Sequence, residues 1–220
     1  MSLRESDVKK IIEQTLRRAY EEESGIKELK LNEIHVTEAV NCLRKSWYFR
    51  KERVEVPIEK VVVLSIGTQM HKLIQKYIDG RKVETEKEVK YRFRDIYVVG
   101  RIDLIVDNTI IELKTVSAKV KDVYPHHYAQ LNAYLNMLNE LYPNQYNDYA
   151  FIVYINKRDG KINVFTVWRD IQGWLWTLAR AWKLYEHLVR NVPPEPEPSF
   201  LCRYCEYQFM CRINGDTYEH

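Results

Sequence analysis

The sequence predicts an α/β sandwich around a small central mixed sheet flanked by helices. Three observations carry this. Strand-like stretches are bracketed by stretches of helical periodicity. Two turn signals, Asp107-Asn108-Thr109 and Lys157-Arg158-Asp159-Gly160, each separate a pair of apolar runs. No internal repeat breaks the pattern, and with 220 residues, 45% of them hydrophobic, the chain has one domain's worth of core and is not of the disordered class.

In chain order, helical spacing predicts helices over 5–23, over 37–51 behind a Thr37 N-cap, and over 64–79. Residues 83–94 alternate charged and apolar side chains. Residues 97–106 and 110–115 read as a strand pair around the first turn, and 126–142 is helical again. YAFIVYIN and KINVFTVW flank the second turn as a hairpin. A long helix then runs to about residue 190, with Asp170 as its N-cap and Trp174, Leu178, Trp182 and Tyr185 on its apolar stripe. That stripe reads as core rather than as a base-stacking platform. NVPPEPEPS, residues 191–199, holds four prolines, which forbid helix and favour an extended connector. The expected parts are an N-terminal helical region (1–63), a central core (64–190), and the connector with a C-terminal segment (191–220).

The opening MSLRESDVKK lacks the apolar stretch of a signal peptide, and no apolar run approaches the roughly 20 residues of a membrane span. A cytoplasmic location without a membrane partner is therefore expected. A formal net charge of +3 is too small to demonstrate a nucleic-acid partner. The local runs Lys114, Lys119, Lys121 and Arg44, Lys45, Arg50, Lys51 suit either phosphate binding or a solvated face. The seven glycines never form GxxxxGK followed by Ser or Thr, so a self-contained nucleotide-driven motor is absent.

GRIDLIVDNTIIELKT, residues 100–115, sets acidic side chains and a lysine in a run that otherwise reads as core strand. Alternate strand residues share a face, about 6.6–6.8 Å apart. Glu112 and Lys114 therefore project together while Ile111 and Leu113 point into the core, and the turn folds the strand carrying Asp103 back beside them. Two carboxylates meeting in a partly buried site repel, and a divalent cation with oxygen ligands, Mg²⁺ or Mn²⁺, relieves the repulsion. An exposed hairpin with an ordinary Glu/Lys pair accounts for the same pattern. Two helical stretches bear on the choice. GTQMH, residues 67–71, starts a helix that sets His71 on a face with Ile74 and Ile78, where a structural histidine is the alternative to a ligand. HHYAQLNAYL, residues 126–135, sets His127, Gln130 and Tyr134 on one face beside Leu131, Leu135 and Leu138, where a polar rim is the alternative.

Taken in order, GTQMH, GRID, IELK and QLNAY resemble the RecB-like branch of the PD-(D/E)XK nucleases, whose signature is a histidine on an early helix, GxxD, ExK, then QxxxY. The resemblance spans about residues 64–135 by motif and implies a PD-(D/E)XK nuclease core. It implies that Asp103 and Glu112 ligate the metal together with the backbone carbonyl of Leu113, and that His71 adds a ligand favouring Mn²⁺. Lys114 would orient or deprotonate the attacking water, and Gln130 and Tyr134 would hold Lys114 and the scissile phosphate.

Of the four cysteines, Cys42 lies in AVNCLRKSWYF and Cys202, Cys205 and Cys211 in FLCRYCEYQFMCR. Disulfides are not expected in a reducing cytoplasm, and three thiols crowded into ten residues point to a metal centre. Zinc normally takes two close CxxC pairs, whereas one cysteine here is remote from a C-x2-C-x5-C group. The layout resembles the iron-sulfur clamp of AddB-type nucleases and of the fourth CRISPR-associated protein family, a compact RecB-like exonuclease. It implies an iron-sulfur cluster, 4Fe-4S or 2Fe-2S, on Cys42, Cys202, Cys205 and Cys211, with the C-terminal segment packed against an N-terminal helix. Joining Cys42 to Cys202 closes a long loop, worth on the order of 5 kcal/mol in the loop-closure model. Beyond Phe200, Leu201, Phe209 and Met210, residues 200–213 have little apolar surface, so the segment is expected to detach without the cluster.

The resemblance further implies a DNA exonuclease acting on single-stranded DNA ends, with endonuclease activity as a companion. Its task would be to trim captured foreign DNA before integration as a CRISPR spacer, with the CRISPR integrase and its companion subunit as partners and homo-oligomers open. Two alternatives remain: a RecB-like repair or recombination nuclease outside CRISPR, and a DNA-binding module whose partner cuts. Intact Asp103, Glu112 and Lys114 argue against the second. A redox protein using the cluster for electron transfer leaves the nuclease motifs unexplained.

Overall fold

A mixed sheet with the order β1-β3-β4-β5-β6 organises the chain: β1 (Glu33–His35), β3 (Ile96–Val106), β4 (Thr109–Val116), β5 (Tyr149–Asn156) and β6 (Ile162–Trp168), with β2 (Val83–Phe93) pairing β3 off this path. The structure, a computed structural model, describes residues 4–24, 29–52, 54–79 and 82–211; residues 212–220 of the expected C-terminal segment lie outside these. β2 runs antiparallel along the whole of β3, which also pairs with β1 in parallel at Tyr97–Val99 and with β4 antiparallel at Leu104–Val106. β4 and β5 are parallel, and β5–β6 is the expected hairpin.

Local chemistry accounts for these elements. Val106 pairs with Thr109 across a two-residue loop in which Asp107 and Asn108 both have positive φ (47° and 68°), the requirement of a type I′ hairpin. Asp170 caps α6 (Ile171–Arg190) by accepting from the Gln172 N–H at 2.9 Å. α5 (Pro125–Leu141) begins on a proline, whose missing N–H would be unpaired there in any case. Leu131, Leu135 and Leu138 of α5 and Trp174, Leu178, Ala181 and Leu184 of α6 form one core with Ile102, Ile105, Ile110, Ile152 and Tyr154 of the sheet. Each fully buried large aliphatic side chain there contributes about 1.5–3 kcal/mol. Trp182 and Tyr185 are only half-buried. α1 (Glu5–Ser24) packs on α4 (Ile58–Tyr77), which crosses β3 and β4.

Several expectations are corrected. The helix expected over 37–51 is two helices, α2 (Val36–Val40) and α3 (Leu43–Lys51). The chain is extended at Asn41, whose amide donates to the Thr37 carbonyl, and Thr37 lies inside α2 while His35 is its N-cap. α4 begins at Ile58 behind Pro57, so GTQMH sits in mid-helix and the helix runs unbroken across residues 63 and 64. The run from Arg44 to Lys51 is not a solvated face throughout. Arg50 is buried on Glu38 at 2.6 Å and on the Glu33 carbonyl, and Arg44 is 7% exposed. The proline connector is extended but anchored, because Arg180 holds the Glu197 carboxylate through two 2.7 Å bonds. No helix among the described residues is long and apolar enough to cross a membrane.

Candidate active site

The β3–β4 ladder ends at the Leu104–Ile111 pair, one position short of Asp103 and Glu112. Where the strands part, the Asp103 carboxylate takes over the ladder's role and accepts the Leu113 N–H at 2.9 Å. Ile102 and Ile105 both enter the same core cluster although they are three residues apart, so the strict alternation of β3 slips between them. Opposite, Thr85 pairs with Leu104 and Lys87 with Ile102, so Glu86, at φ 50°, stands across from Asp103 and interrupts the ladder at that one position with the register the same on either side.

Glu112 is 1% exposed, which excludes the exposed-hairpin reading of the sequence. Its Oε1 accepts from Lys114 Nζ at 2.8 Å and from Gln130 Nε2 at 2.9 Å, while its Oε2 is buried without a hydrogen-bond partner. Burial raises the Glu112 carboxyl, Lys114 opposes that and Asp103 adds to it, for a pKa of about 7. Burial acts on Asp103 in the same sense, but His71, Lys114 and the Leu113 N–H outweigh it and hold this carboxyl below its usual value. A carboxylate oxygen buried without a donor is costly unless something positive completes it. The donor set therefore fits a divalent cation, with Asp103 and the Leu113 carbonyl on the neighbouring strand ends.

The helices bring up the remaining motif residues through two close approaches. A Cβ at Gly67 would stand 2.8 Å from Thr115 Oγ1, so glycine lets α4 lie directly on β4. One turn further on, His71 Nδ1 stands 3.6 Å from Asp103 Oδ2, within ion-pair range and beyond a hydrogen bond. A Cβ at Gly100 would stand 2.6 Å from Tyr134 Cε1, so glycine admits the Tyr134 ring against β3. Gln130 donates to both Glu112 Oε1 and the Tyr134 hydroxyl, each at 2.9 Å. This differs from the expected contacts. Gln130 holds Glu112 rather than Lys114, and Tyr134, 2% exposed, supports Gln130 from inside the core rather than lying open to a phosphate. Burial and the nearby Glu112 push its phenol up, so it stays neutral. His127 shares the helical face but hydrogen-bonds the Tyr154 hydroxyl at 2.9 Å and belongs to a separate aromatic group.

A cleft of about 300 Å³ opens beside Asp103 and His71 and is lined also by Lys72, Gln75, Glu86 and Arg101. Sequence reasoning missed Gln75, Glu86 and Arg101, because nothing in the alternation of VETEKEV marks the residue at which the backbone takes a positive φ.

Cys42 is the N-cap of α3, Cys202 lies in the 3₁₀ turn Phe200–Tyr204, Cys205 follows that turn, and Cys211 ends α7 (Gln208–Cys211). Burial raises the Cys211 thiol, Arg44 lowers it, and Cys42, Cys205 and Cys202 each raise it further. Burial raises Cys205 likewise, with Cys42 among the contributors. Among the described residues, no group of three or more His, Cys, Asp or Glu side chains is drawn tightly enough to grip an ion. The segment has an anchor that sequence reasoning missed. Tyr207 is 2% exposed, stacks on Tyr48 at 5.9 Å and donates to the Glu52 carbonyl, while Glu206 pairs with Lys45 and Lys60.

The family described as the PD-(D/E)XK nuclease superfamily matches residues 11–212. Comparison with curated proteins returned no match. Among solved structures, that of SSO0001 is 24% identical with a TM-score of 0.69, covering 92% of this chain and 96% of its own. An alkaline exonuclease, LHK-Exo, from Laribacter hongkongensis is 13% identical with a TM-score of 0.47, covering 73% of this chain and 93% of its own. A phage related exonuclease from Haemophilus somnus 129PT has the same identity and TM-score, with coverages of 72% and 96%. The likeness to SSO0001 bears on the fold alone.

Proposed function

The chain belongs to the PD-(D/E)XK nuclease superfamily, and on that premise we propose that it is a divalent-metal-dependent DNA exonuclease acting on single-stranded ends. The observation that carries the reading is the buried Glu112 Oε2, an acceptor without a donor at the point where β3 and β4 part beside Asp103. Asp103, Glu112 and the Leu113 carbonyl would hold Mg²⁺ or Mn²⁺, with His71 as a further ligand. When bound, the cation supplies Lewis-acid polarisation of a phosphoryl oxygen and a more acidic attacking water.

The chain's own residues do the rest. Lys114, with its Nζ on Glu112 Oε1, orients the water and offsets charge growing on the phosphorus centre. Gln130 holds the same oxygen from the opposite helix and keeps Oε2 free for the ion. Asp103, tied to the Leu113 N–H, fixes the spacing of the two strand ends.

The finer placement is part of the same proposal. The order of the four motifs and the cysteine layout support a role in trimming captured DNA for CRISPR spacer acquisition, with the integrase and its companion subunit as partners. The return of Cys42, at the start of α3, and of the Cys202–Cys211 segment to one side of the molecule, where Glu206 pairs with Lys45 of α3, supports an iron-sulfur cluster. In the test, purified protein is assayed on end-labelled linear and circular single strands, with Mn²⁺ or Mg²⁺ and with chelator. Metal-dependent shortening of linear strands, lost in Asp103→Ala and Glu112→Ala, is expected. Cleavage that persists in a rigorously purified Asp103→Ala protein overturns the site, and equal rates on circles and linear strands overturn the exonuclease reading. A brown colour with stoichiometric iron, lost with Cys42→Ala, is expected for the cluster.

A further inference from the structure

At the rim of the cleft, Arg101 lies two residues before Asp103 on β3 and points to the same side, about 6.6–6.8 Å along the strand from the proposed metal ligand. Its Nε is held by Glu86 Oε2 at 2.8 Å, although the two side chains are 73% and 40% exposed. An ion pair so open to water adds almost nothing to stability. Yet the fold goes to some length to make it. Glu86 interrupts the β2–β3 ladder across from Asp103 and is held in the left-handed region at φ 50°, a conformation that a residue with a Cβ avoids unless its surroundings impose it. At this kink the Glu86 carboxylate meets the cleft, where Oε1 accepts from Gln75 Nε2 at 2.5 Å, and the same amide reaches the Asp103 carbonyl at 3.3 Å. Arg101, Glu86, Gln75 and Asp103 thus form one connected rim, with Lys72 on the same wall.

We propose that Arg101 binds a backbone phosphate of the nucleic-acid strand adjacent to the scissile one, and that Glu86, presented by the positive-φ kink in β2, is the positioning residue that holds its guanidinium at the cleft. A guanidinium presents several donors in a fixed plane, and with Nε on Glu86 its outer nitrogens remain directed to a second anion. The ligand class is a phosphodiester, a contact that sets position on the strand and carries no base information itself. The inference rests on the nuclease reading and adds a substrate contact to it.

The test is a binding titration of the full chain without divalent metal, using fluorescein-labelled oligo-dT at increasing salt, followed by steady-state cleavage kinetics. Native protein should bind with a negative salt slope. Arg101→Gln should weaken binding about 10-fold and make the slope shallower by about 0.7, the value for one phosphate contact on a single strand. In cleavage, its loss should fall mainly on KM. Arg101→Lys, which keeps the charge, should recover the slope. Glu86→Gln should weaken binding less than Arg101→Gln, and the double variant should be no weaker than Arg101→Gln alone, because Glu86 acts only through the arginine. An unchanged slope and KM in Arg101→Gln overturns the phosphate contact. Additive losses in the double variant, or tighter binding by Glu86→Gln, overturn the positioning role. If the native chain binds no oligonucleotide at all, the nuclease reading itself falls, and that outcome is distinct from both.

Discussion

The ring of Tyr134 occupies the space that a side chain at Gly100 would need, since a Cβ there would meet Cε1 at 2.6 Å and Cδ1 at 2.9 Å. The glycine of GRID and the tyrosine of QLNAY are therefore two halves of one contact, and Tyr134 in turn supports the Gln130 amide that reaches Glu112. Gly100→Ala should force the buried ring aside, cost about 1–3 kcal/mol of stability, and slow cleavage by disturbing Gln130. Chemical denaturation together with cleavage rates checks this. Native stability in the alanine variant would show that the ring moves freely.

Gln130 and Tyr134 should separate in their effects. Gln130→Ala removes one of the two donors on Glu112 Oε1 and leaves the carboxylate free to rotate, so cleavage should drop about 100-fold, the upper end for losing a group that orients a metal ligand. Tyr134→Phe removes only the hydroxyl that accepts from Gln130, and one neutral hydrogen bond is worth about 1 kcal/mol, so the loss should stay below about 10-fold. Comparable losses in the two variants would mean that the hydroxyl itself reaches the substrate.

The parts of this site that were legible from sequence share a physical basis. The Asp107-Asn108 turn, the pairing of the strands on either side and the joint projection of Glu112 and Lys114 follow from a period of two and from residues that tolerate positive φ. The Gln130 contact was not legible, because spacing on a helix shows which residues share a face but not which strand residue they meet. β1, three residues long, falls below any periodicity, and the break at Asn41 depends on tertiary packing of α2 and α3. The positive φ at Glu86 sits at a non-glycine residue in a strand that alternates normally on paper. Tyr207 was overlooked because one tyrosine in a charged stretch reads as surface, whereas Tyr48 and the Glu52 carbonyl give it a buried seat.

That seat changes what loss of the cysteines should do. Tyr207→Ala should release the segment over residues 200–211 with a cost of about 3–5 kcal/mol, the range for truncating a large buried aromatic. Cys42→Ala should lower iron content and the thermal midpoint while the segment stays partly docked through Tyr207 and Glu206. Limited proteolysis with iron analysis distinguishes the two. If Cys42→Ala kept full iron and the native midpoint, Cys42 would not be a ligand, and the cluster would reduce to a smaller C-terminal site.

Acid sensitivity should trace to His127. The Tyr154 hydroxyl accepts from the Tyr124 N–H at 3.1 Å, has one proton of its own, and hydrogen-bonds His127 Nδ1 at 2.9 Å. Burial pushes Tyr154 up to about 12, so this proton stays in place. Burial first, then the charges of Lys114 and His126, press the His127 pKa from 6.5 down to about 2. Because the folded value lies below the unfolded one, the unfolded chain takes up a proton below pH 6.5 that the folded chain refuses. Stability from this group is complete above pH 6.5 and is lost as pH falls toward 2, at about 1.4 kcal/mol per unit, or about 2 kcal/mol by pH 5. His127→Asn keeps an acceptor near the hydroxyl and cannot be protonated, so its stability should fall by about 2 kcal/mol less than the native protein's between pH 7.5 and pH 5, as read from denaturant midpoints. Equal losses in the two proteins would assign the acid sensitivity to other groups.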